Sequence, residues 1–488
     1  MTRRPDLIGK CLLAVAAIGI CAGAAWLAVG HGTLVTLGVV GLIALVIAVY
    51  IGLRHPLWLF WATAAVIGGL PFGYFPGVHV PLYLLFAAGA VLAAIIHPTQ
   101  RTRLSTLEVA VIALLVVSAL SVVGTGVTLP AILLYAKWGI ATATMIALLR
   151  LSRENLARFG RIFVYAASAN ALVGIAMATV DQQQRLLKPL QIFGYGVGAG
   201  LREQTALYVY SNEGGTIGRT LRLGGTWVLP NSAGLALATA LIIGLVLFTG
   251  WRRTLMSTVL VVALLLTLSR SMIFSVAVGL LLVLLFHGMR ARDRQIAIGI
   301  IGVGAAAALL TPMIRDRILS TFADEDTGRE ARADSIAEFP HRMSGNWLFG
   351  LGWDRPEFRS GQLAQSLNYV SNAPLLTIYR GGVITGLVFV AILVIGAVMG
   401  YRALRSPSLP HAVYGGVFIG IAVVSANLQQ SVVDMPQMTL TFSILLAFLV
   451  YVDQTRHDAP AAAIRPPARR AAAPPPRGAV SAAPSASG

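Results

Sequence analysis

Apolar stretches of roughly 17 to 25 residues recur along the chain, the length an α-helix needs to cross a hydrocarbon core of about 30 Å. They begin near Cys11, Thr33, Leu57, Val80, Leu107, Leu129, Arg161, Asn231, Thr254, Ser271, Gln295, Arg380, His411 and Met438. This pattern predicts an all-α, polytopic integral membrane protein of about fourteen transmembrane helices, with both termini on one side. Two long polar segments, near Asp181 to Pro230 and Pro312 to Tyr379, interrupt the series. The predicted organisation is N-terminal helices over 1–180, a first outer loop over 181–230 and central helices over 231–311. A second outer loop with short interfacial helices follows over 312–379, then C-terminal helices over 380–452 and a basic Pro/Ala-rich tail over 453–488.

Basic residues orient these spans, because short cytoplasmic loops collect Lys and Arg while short outer turns do not. Alternate connections hold Arg3, Arg4 and Lys10, Arg54, Arg101 and Arg103, a cluster from Arg150 to Arg161, Arg252 and Arg253, Arg290 to Arg294, and Arg402 and Arg405. The short turns on the opposite side hold Arg270 alone. Both termini are therefore expected in the cytoplasm and both long loops outside. The Trp and Tyr residues of those loops, among them Trp227, Trp347 and Trp353, predict ordered structure, whereas the tail lacks the apolar content to fold.

Composition narrows the class further. The chain is 57% hydrophobic and 11% charged over 488 residues, with a mean hydropathy of +0.77. A net charge of +18 would suggest nucleic acid in a soluble protein, but here its placement reports topology. Cys11 and Cys21 both lie in the first apolar stretch, leaving no disulfide framework or thiolate metal site. The basic start followed by that stretch has the form of a signal sequence, but its length and the lack of a small-residue cleavage site make it the first helix.

Several chemistries are absent. There is no Walker A loop, the histidines form no H-E-x-x-H pair, and Asp324-Glu325-Asp326 reads as a solvated acidic turn. The glycines at 194, 196, 198 and 200 have no strand-turn-helix setting. No metal and no cofactor is expected.

Arg270 interrupts the apolar run from Leu255 to Phe286 at the outer boundary. A guanidinium there either snorkels at a helix turn or grips phosphates of a lipid-linked substrate. Lys137, within the sixth span, is open between an interior contact and a substrate role. Arg222 approaches the same face as Arg270, in a segment that leads to Asn231 and the eighth span. In the second loop, Arg329, Arg332, Glu338 and His341 fall on one predicted helix, where an i to i+4 salt-bridge lattice around Arg332 is the alternative to a substrate role. Asn372 and Arg380 close the loop.

The run R-x-G-G-x-x-x-x-P-N from Arg222 to Asn231, the S-R-S around Arg270, the L-F-G-L-G-W ending at Trp353, and Asn372 followed by Gly381-Gly382 and Gly386 resemble the O-antigen ligase and Wzy-type O-antigen polymerase superfamily. The resemblance covers roughly Arg219 to Gly400. It implies a GT-C-like, metal-independent inverting glycosyltransferase of the bacterial plasma membrane. Such an enzyme moves saccharide from a polyprenyl diphosphate donor to a glycan or glycolipid acceptor at the outer face, with a chain-length regulator as a further partner and no nucleic acid. The diphosphate-binding arginines carry over onto Arg222 and Arg270, with Arg329 a third. Ser371 stands where the ligases commonly carry His, so polymerase is favoured over ligase, and His341 and Glu338 are the substitutes for the base by location. Two other readings are a transporter or flippase of lipid-linked saccharides, and a relative of cell-wall polymerases with Asp334 or Asp354 as its essential acid.

Overall fold

The computed structural model describes residues 50–76, 80–97, 104–181, 185–195, 208–213, 216–310, 315, 327–354, 370, 372–426 and 431–457. These form a nearly all-helical bundle. In chain order the helices are α1 Pro56–Gly69, α2 Leu82–Ile96, α3 Thr106–Thr125, α4 Leu129–Leu149, α5 Arg153–Thr179, α6 Pro230–Leu247 and α7 Gly250–Leu266. They continue as α8 Arg270–Phe286, α9 Ala291–Leu310, α10 Thr327–Arg342, α11 Ala373–Leu404, α12 Leu409–Gly420, α13 Ser431–Asp434 and α14 Pro436–Thr455. Helices α3, α4, α5, α6, α11 and α14 are long and apolar enough to cross a membrane, and the chain is a multi-pass membrane protein on that ground. The spans expected near Cys11 and Thr33, the acidic turn at 324–326 and the tail beyond 457 lie outside the described residues.

Capping residues set several boundaries that hydropathy misplaces. The expected starts near Arg161 and Arg380 move to Arg153 and Ala373. The Ser152 and Asn372 side chains accept from the amides of Asn155 and Leu375 and begin each helix before its apolar run. Helix α3 opens on a reciprocal box, with Ser105 N donating to Glu108 Oε2 at 2.7 Å and Glu108 N donating to Ser105 Oγ at 3.2 Å.

One element departs from the all-α expectation. Tyr208–Glu213 and Thr216–Leu221 form an antiparallel hairpin in which Tyr208 faces Leu221. Its strands are rich in Tyr, Val, Thr and Ile, residues that favour the extended backbone.

Helices α6 and α14 are the centre of the bundle, with 78% of their apolar windows buried, against 39% for α3. Apolar on every side, they belong inside. Small residues such as Gly234, Ala236, Ala240 and Gly244 along α6 let neighbours close in.

Contacts at the helix termini sort into two ends. At one end Arg158 lies over Trp61, His287 Nδ1 meets Leu404 O at 3.3 Å and Ser406 Oγ donates to Arg456 O at 3.1 Å. At the other end Thr226 N donates to Asn170 Oδ1 at 3.1 Å and Ser121 Oγ donates to the carbonyls of Phe349 and Arg380 at 2.7 and 3.0 Å. Among the described residues, the segments around Arg222, Arg270, Trp353 and Gly382 lie at the second end.

Candidate active site

The hairpin ends at Leu221 and delivers Arg222 to the turn between α7 and α8. Leu223 and Trp227 follow, both buried, and Leu223 N donates to Leu266 O at 2.9 Å, which fastens the segment to the end of α7. Arg222 is only 8% exposed. Its Nε donates to Thr267 O at 3.0 Å, and its Nη2 to Asn231 Oδ1 at 3.0 Å and to Leu268 O at 3.4 Å. The fork thus satisfies carbonyls left open where α7 stops.

That turn is tight. Leu268 takes a left-handed φ of 51°, and the Thr267 hydroxyl donates to Leu264 O at 2.6 Å while accepting from Ser269 N at 3.2 Å. Helix α8 starts at once with Arg270, whose side chain is half-buried. Neither Leu229 before α6 nor Ser269 before α8 caps its helix with a side chain. The two starts touch: a Cβ on Gly234 would sit 3.1 Å from Ser269 Cβ. First-turn amides of two helices, with Arg270 on one and Arg222 against the turn that precedes it, concentrate positive potential at one place.

A second cationic group lies nearby. Arg380 Nη2 pairs with Asp434 Oδ1 at 2.6 Å, and its Nη1 donates to Val433 O at 3.1 Å. Its guanidinium stands 5.5 Å over Trp353. Trp353 is buried and packs on Trp138 and Tyr135 at 4.8 and 5.6 Å. Ser232 Oγ, in the first turn of α6, donates to Met435 Sδ at 3.8 Å, which joins this group to the Arg222 cluster.

The two glycine motifs meet at a break in α11. Gly382 there has φ 82° and ψ 174°, and the 347–351 loop enters the break. Val383 N donates to Trp347 O at 2.8 Å and Leu351 N to Tyr379 O at 2.7 Å. Any Cβ on Gly382 would collide with the Leu348 carbonyl, so only glycine fits. Beside this joint lies an open cleft of about 770 Å³, lined by Thr125, Asn346, Phe349, Gly350 and Tyr379 among others. The exposed Phe349 ring and the Asn346 side chain are groups that suit a sugar's face and hydroxyls.

The remaining candidates sit differently. Asn372 spends its amide oxygen on Leu375 N at 2.9 Å, as the cap of α11. Glu338 pairs with Arg342 at 2.7 Å on α10, an ordinary i to i+4 salt bridge. His341 is exposed on the same helix, and Arg329 and Arg332 lie in its earlier turns. The side chains of Arg329, Arg332 and Asp334, together with Ser371, lie outside the described residues. Lys137 is half-buried on α4. Among the described residues no group of three His, Cys, Asp or Glu could hold a metal.

Sequence reasoning missed Asp434, the partner of Arg380, and the bond from Thr128 Oγ1 to Asp354 Oδ2 at 2.6 Å. A signal for Asp434 existed: it is the one acid in the short turn from Gln429 to Gln437.

Residues 255–390 match the family described as O-antigen ligase. The resemblance to the O-antigen ligase and Wzy-type superfamily therefore holds over a segment that runs from α7 into α11 and includes Arg270, Glu338, His341, Asn372 and Arg380. No curated protein matches the chain.

Proposed function

From the premise that residues 255–390 are an O-antigen ligase segment within a multi-pass membrane protein, we propose that this chain is a membrane glycosyltransferase. The coarse reading, a protein that ligates or polymerises glycan in a membrane, follows from that match. In the finer reading the donor is a polyprenyl diphosphate saccharide, the acceptor a glycan or glycolipid, and the reaction a metal-independent transfer at the outer face of a bacterial plasma membrane. Fourteen spans, a GT-C-like arrangement, cytoplasmic termini and a chain-length regulator belong to the same reading. Polymerase is favoured over ligase by Ser371.

The observation that carries the proposal is the junction of the α6 and α8 starts with Arg270 and Arg222. In the transfer, an acceptor hydroxyl oxygen bonds to the anomeric carbon while the bond from that carbon to the diphosphate oxygen breaks. The departing diphosphate takes the electron pair, and its growing charge is what fixed amides and a guanidinium stabilise. Arg270 is assigned the direct contact. Arg222, clasped by the carbonyls of Thr267 and Leu268, holds the α7–α8 turn that aims Arg270. Asn231 holds Arg222 in turn.

The acceptor proton passes to a base on α10, Glu338 or His341. Arg329, Arg332, Asn372, Arg380 and Lys137 are assigned to substrate binding around this centre. For Arg380 the support is its place over Trp353 beside the start of α6.

The test complements a deletion strain with wild type, Arg270→Ala, Arg222→Ala or Glu338→Gln, each matched for membrane abundance, and extracts lipid-linked intermediates by side. Loss of a buttressed cation at the leaving group should lower transfer by roughly a hundredfold or more. Single repeat units on lipid diphosphate should accumulate outside. Full-length polymer retained on the lipid would instead identify a ligase. Intermediates trapped inside would identify a flippase and sink the enzyme reading. Wild-type output from Glu338→Gln would leave His341 as the base.

A further inference from the structure

We propose that a second anion site lies at the opposite end of the bundle, built to hold the phosphate of an anionic phospholipid. A cleft of about 410 Å³ opens there between α5 and the α6–α7 connection. Arg158, Arg161 and Arg252 line it together with Tyr165, Leu247 and Phe248. This inference does not depend on the glycosyltransferase reading; it requires only that the chain crosses a membrane.

The three arginines do more than mark a cytoplasmic loop. Basic residues that only set topology have no reason to converge, yet these line one concavity although they come from two separate segments of the chain. Two are held in place: Arg158 stacks at 5.3 Å over Trp61, and Arg161 Nε donates back to Ala157 O at 3.4 Å. Arg253 adds a wall brace, its Nε donating to Phe248 O at 2.6 Å. No acid lines the cleft. Among the described residues no ion pair joins Arg158 to Glu154, one turn before it. Three guanidinium groups around one concavity that no acid lines attract an anion, and their planar forks match phosphate oxygens.

The walls favour a lipid over free phosphate. Ile162, Leu247 and the Phe248 ring continue the cleft as apolar surface, and Phe248 meets Tyr165 edge-on at 5.1 Å. Free phosphate has no use for such a wall, whereas a glycerophospholipid places its phosphate and acyl chains in just this order. Trp251, 70% exposed beside Arg252, and Trp61 are residues that settle at the headgroup level. The arginines therefore meet phosphate at a depth where it is already abundant.

The test uses the purified, delipidated full-length protein in detergent, with retained lipid read by native mass spectrometry. Dioleoyl phosphatidylglycerol and dioleoyl phosphatidylcholine are the probes. Wild type should retain the anionic lipid about tenfold better, and the triple Arg158→Gln, Arg161→Gln, Arg252→Gln variant should lose that preference. A control triple at the same end, Arg290→Gln, Arg402→Gln, Arg405→Gln, removes equal charge and should keep it. Equal loss in both triples would reduce the effect to bulk charge and overturn the site, as would no preference in wild type. Displacement of the lipid by millimolar inorganic phosphate would overturn the commitment to lipid. If the cleft triple is not recovered folded, single Arg161→Gln and Arg252→Gln variants decide, and wild-type retention in both would refute the proposal.

Discussion

The two ends of the bundle both carry arginine, but they use it in opposite ways. At the motif-bearing end Arg222 is sunk among carbonyls and Arg380 is tied to Asp434 and Trp353. At the other end, outside the cleft between α5 and the α6–α7 connection, Arg290 and Arg402 are exposed. A topological charge acts through the bulk membrane and needs no fixed position. A charge that stabilises a leaving group must be held before the reaction, since preorganisation is what makes it effective. Fixation, more than charge, separates the two.

That contrast can be broken most severely at Gly382. Gly382→Ala puts a Cβ into the Leu348 carbonyl and a side chain at φ 82° with ψ 174°, a region kept for glycine. A loss of roughly 2–5 kcal/mol is expected, seen as little monodisperse protein or a greatly lowered thermal midpoint in detergent. Wild-type behaviour would mean that the 347–351 loop does not lock the break in α11.

Next comes the ion pair. Arg380 and Asp434 have side chains only 14% and 29% exposed, so removing either strands the other. Arg380→Ala or Asp434→Ala should cost about 2 kcal/mol, and the double variant clearly less than the sum. Strict additivity in thermal or denaturant unfolding would show that the pair contributes no coupling.

The smallest effect sharpens the contrast from the other side. Arg402→Gln, on an exposed side chain at the last turn of α11, should change stability by less than about 0.5 kcal/mol. Its readout is topology: accessibility labelling of the neighbouring loop should shift slightly, if at all, while the transfer reaction stays at the wild-type rate. A large fall in activity would place chemistry at the end assigned to orientation.

Much of this was legible beforehand because it depends on local composition. Apolar length dictates where helices can span, since an unpaired backbone amide in hydrocarbon costs several kcal/mol. Helices α1 to α4, α6 to α8, α12 and α14 start close to their expected positions. Starts near Arg161 and Arg380 were displaced because caps at Ser152 and Asn372 depend on a single side chain that hydropathy averages away. The hairpin at Tyr208–Leu221 was overlooked because two short strands are faint beside twenty-residue apolar runs.

The site divides along the same line. Which residues bear charge within the motifs, Arg222, Arg270 and Arg380, was in the order of amino acids. What Arg222 and Arg380 meet was not, because the carbonyls and the acid that hold them are 45 to 54 positions away. Only folding put the carbonyl of Thr267 against Arg222, Asp434 against Arg380, and the 347–351 loop into the gap opened at Gly382. The sequence alone determined a multi-pass helical protein and the order of its motifs along the chain, because burial in lipid is decided stretch by stretch. The tertiary structure decided which arginine is a buttress and which stands at the junction of two helix starts, because such roles are set by neighbours that only the packed bundle supplies.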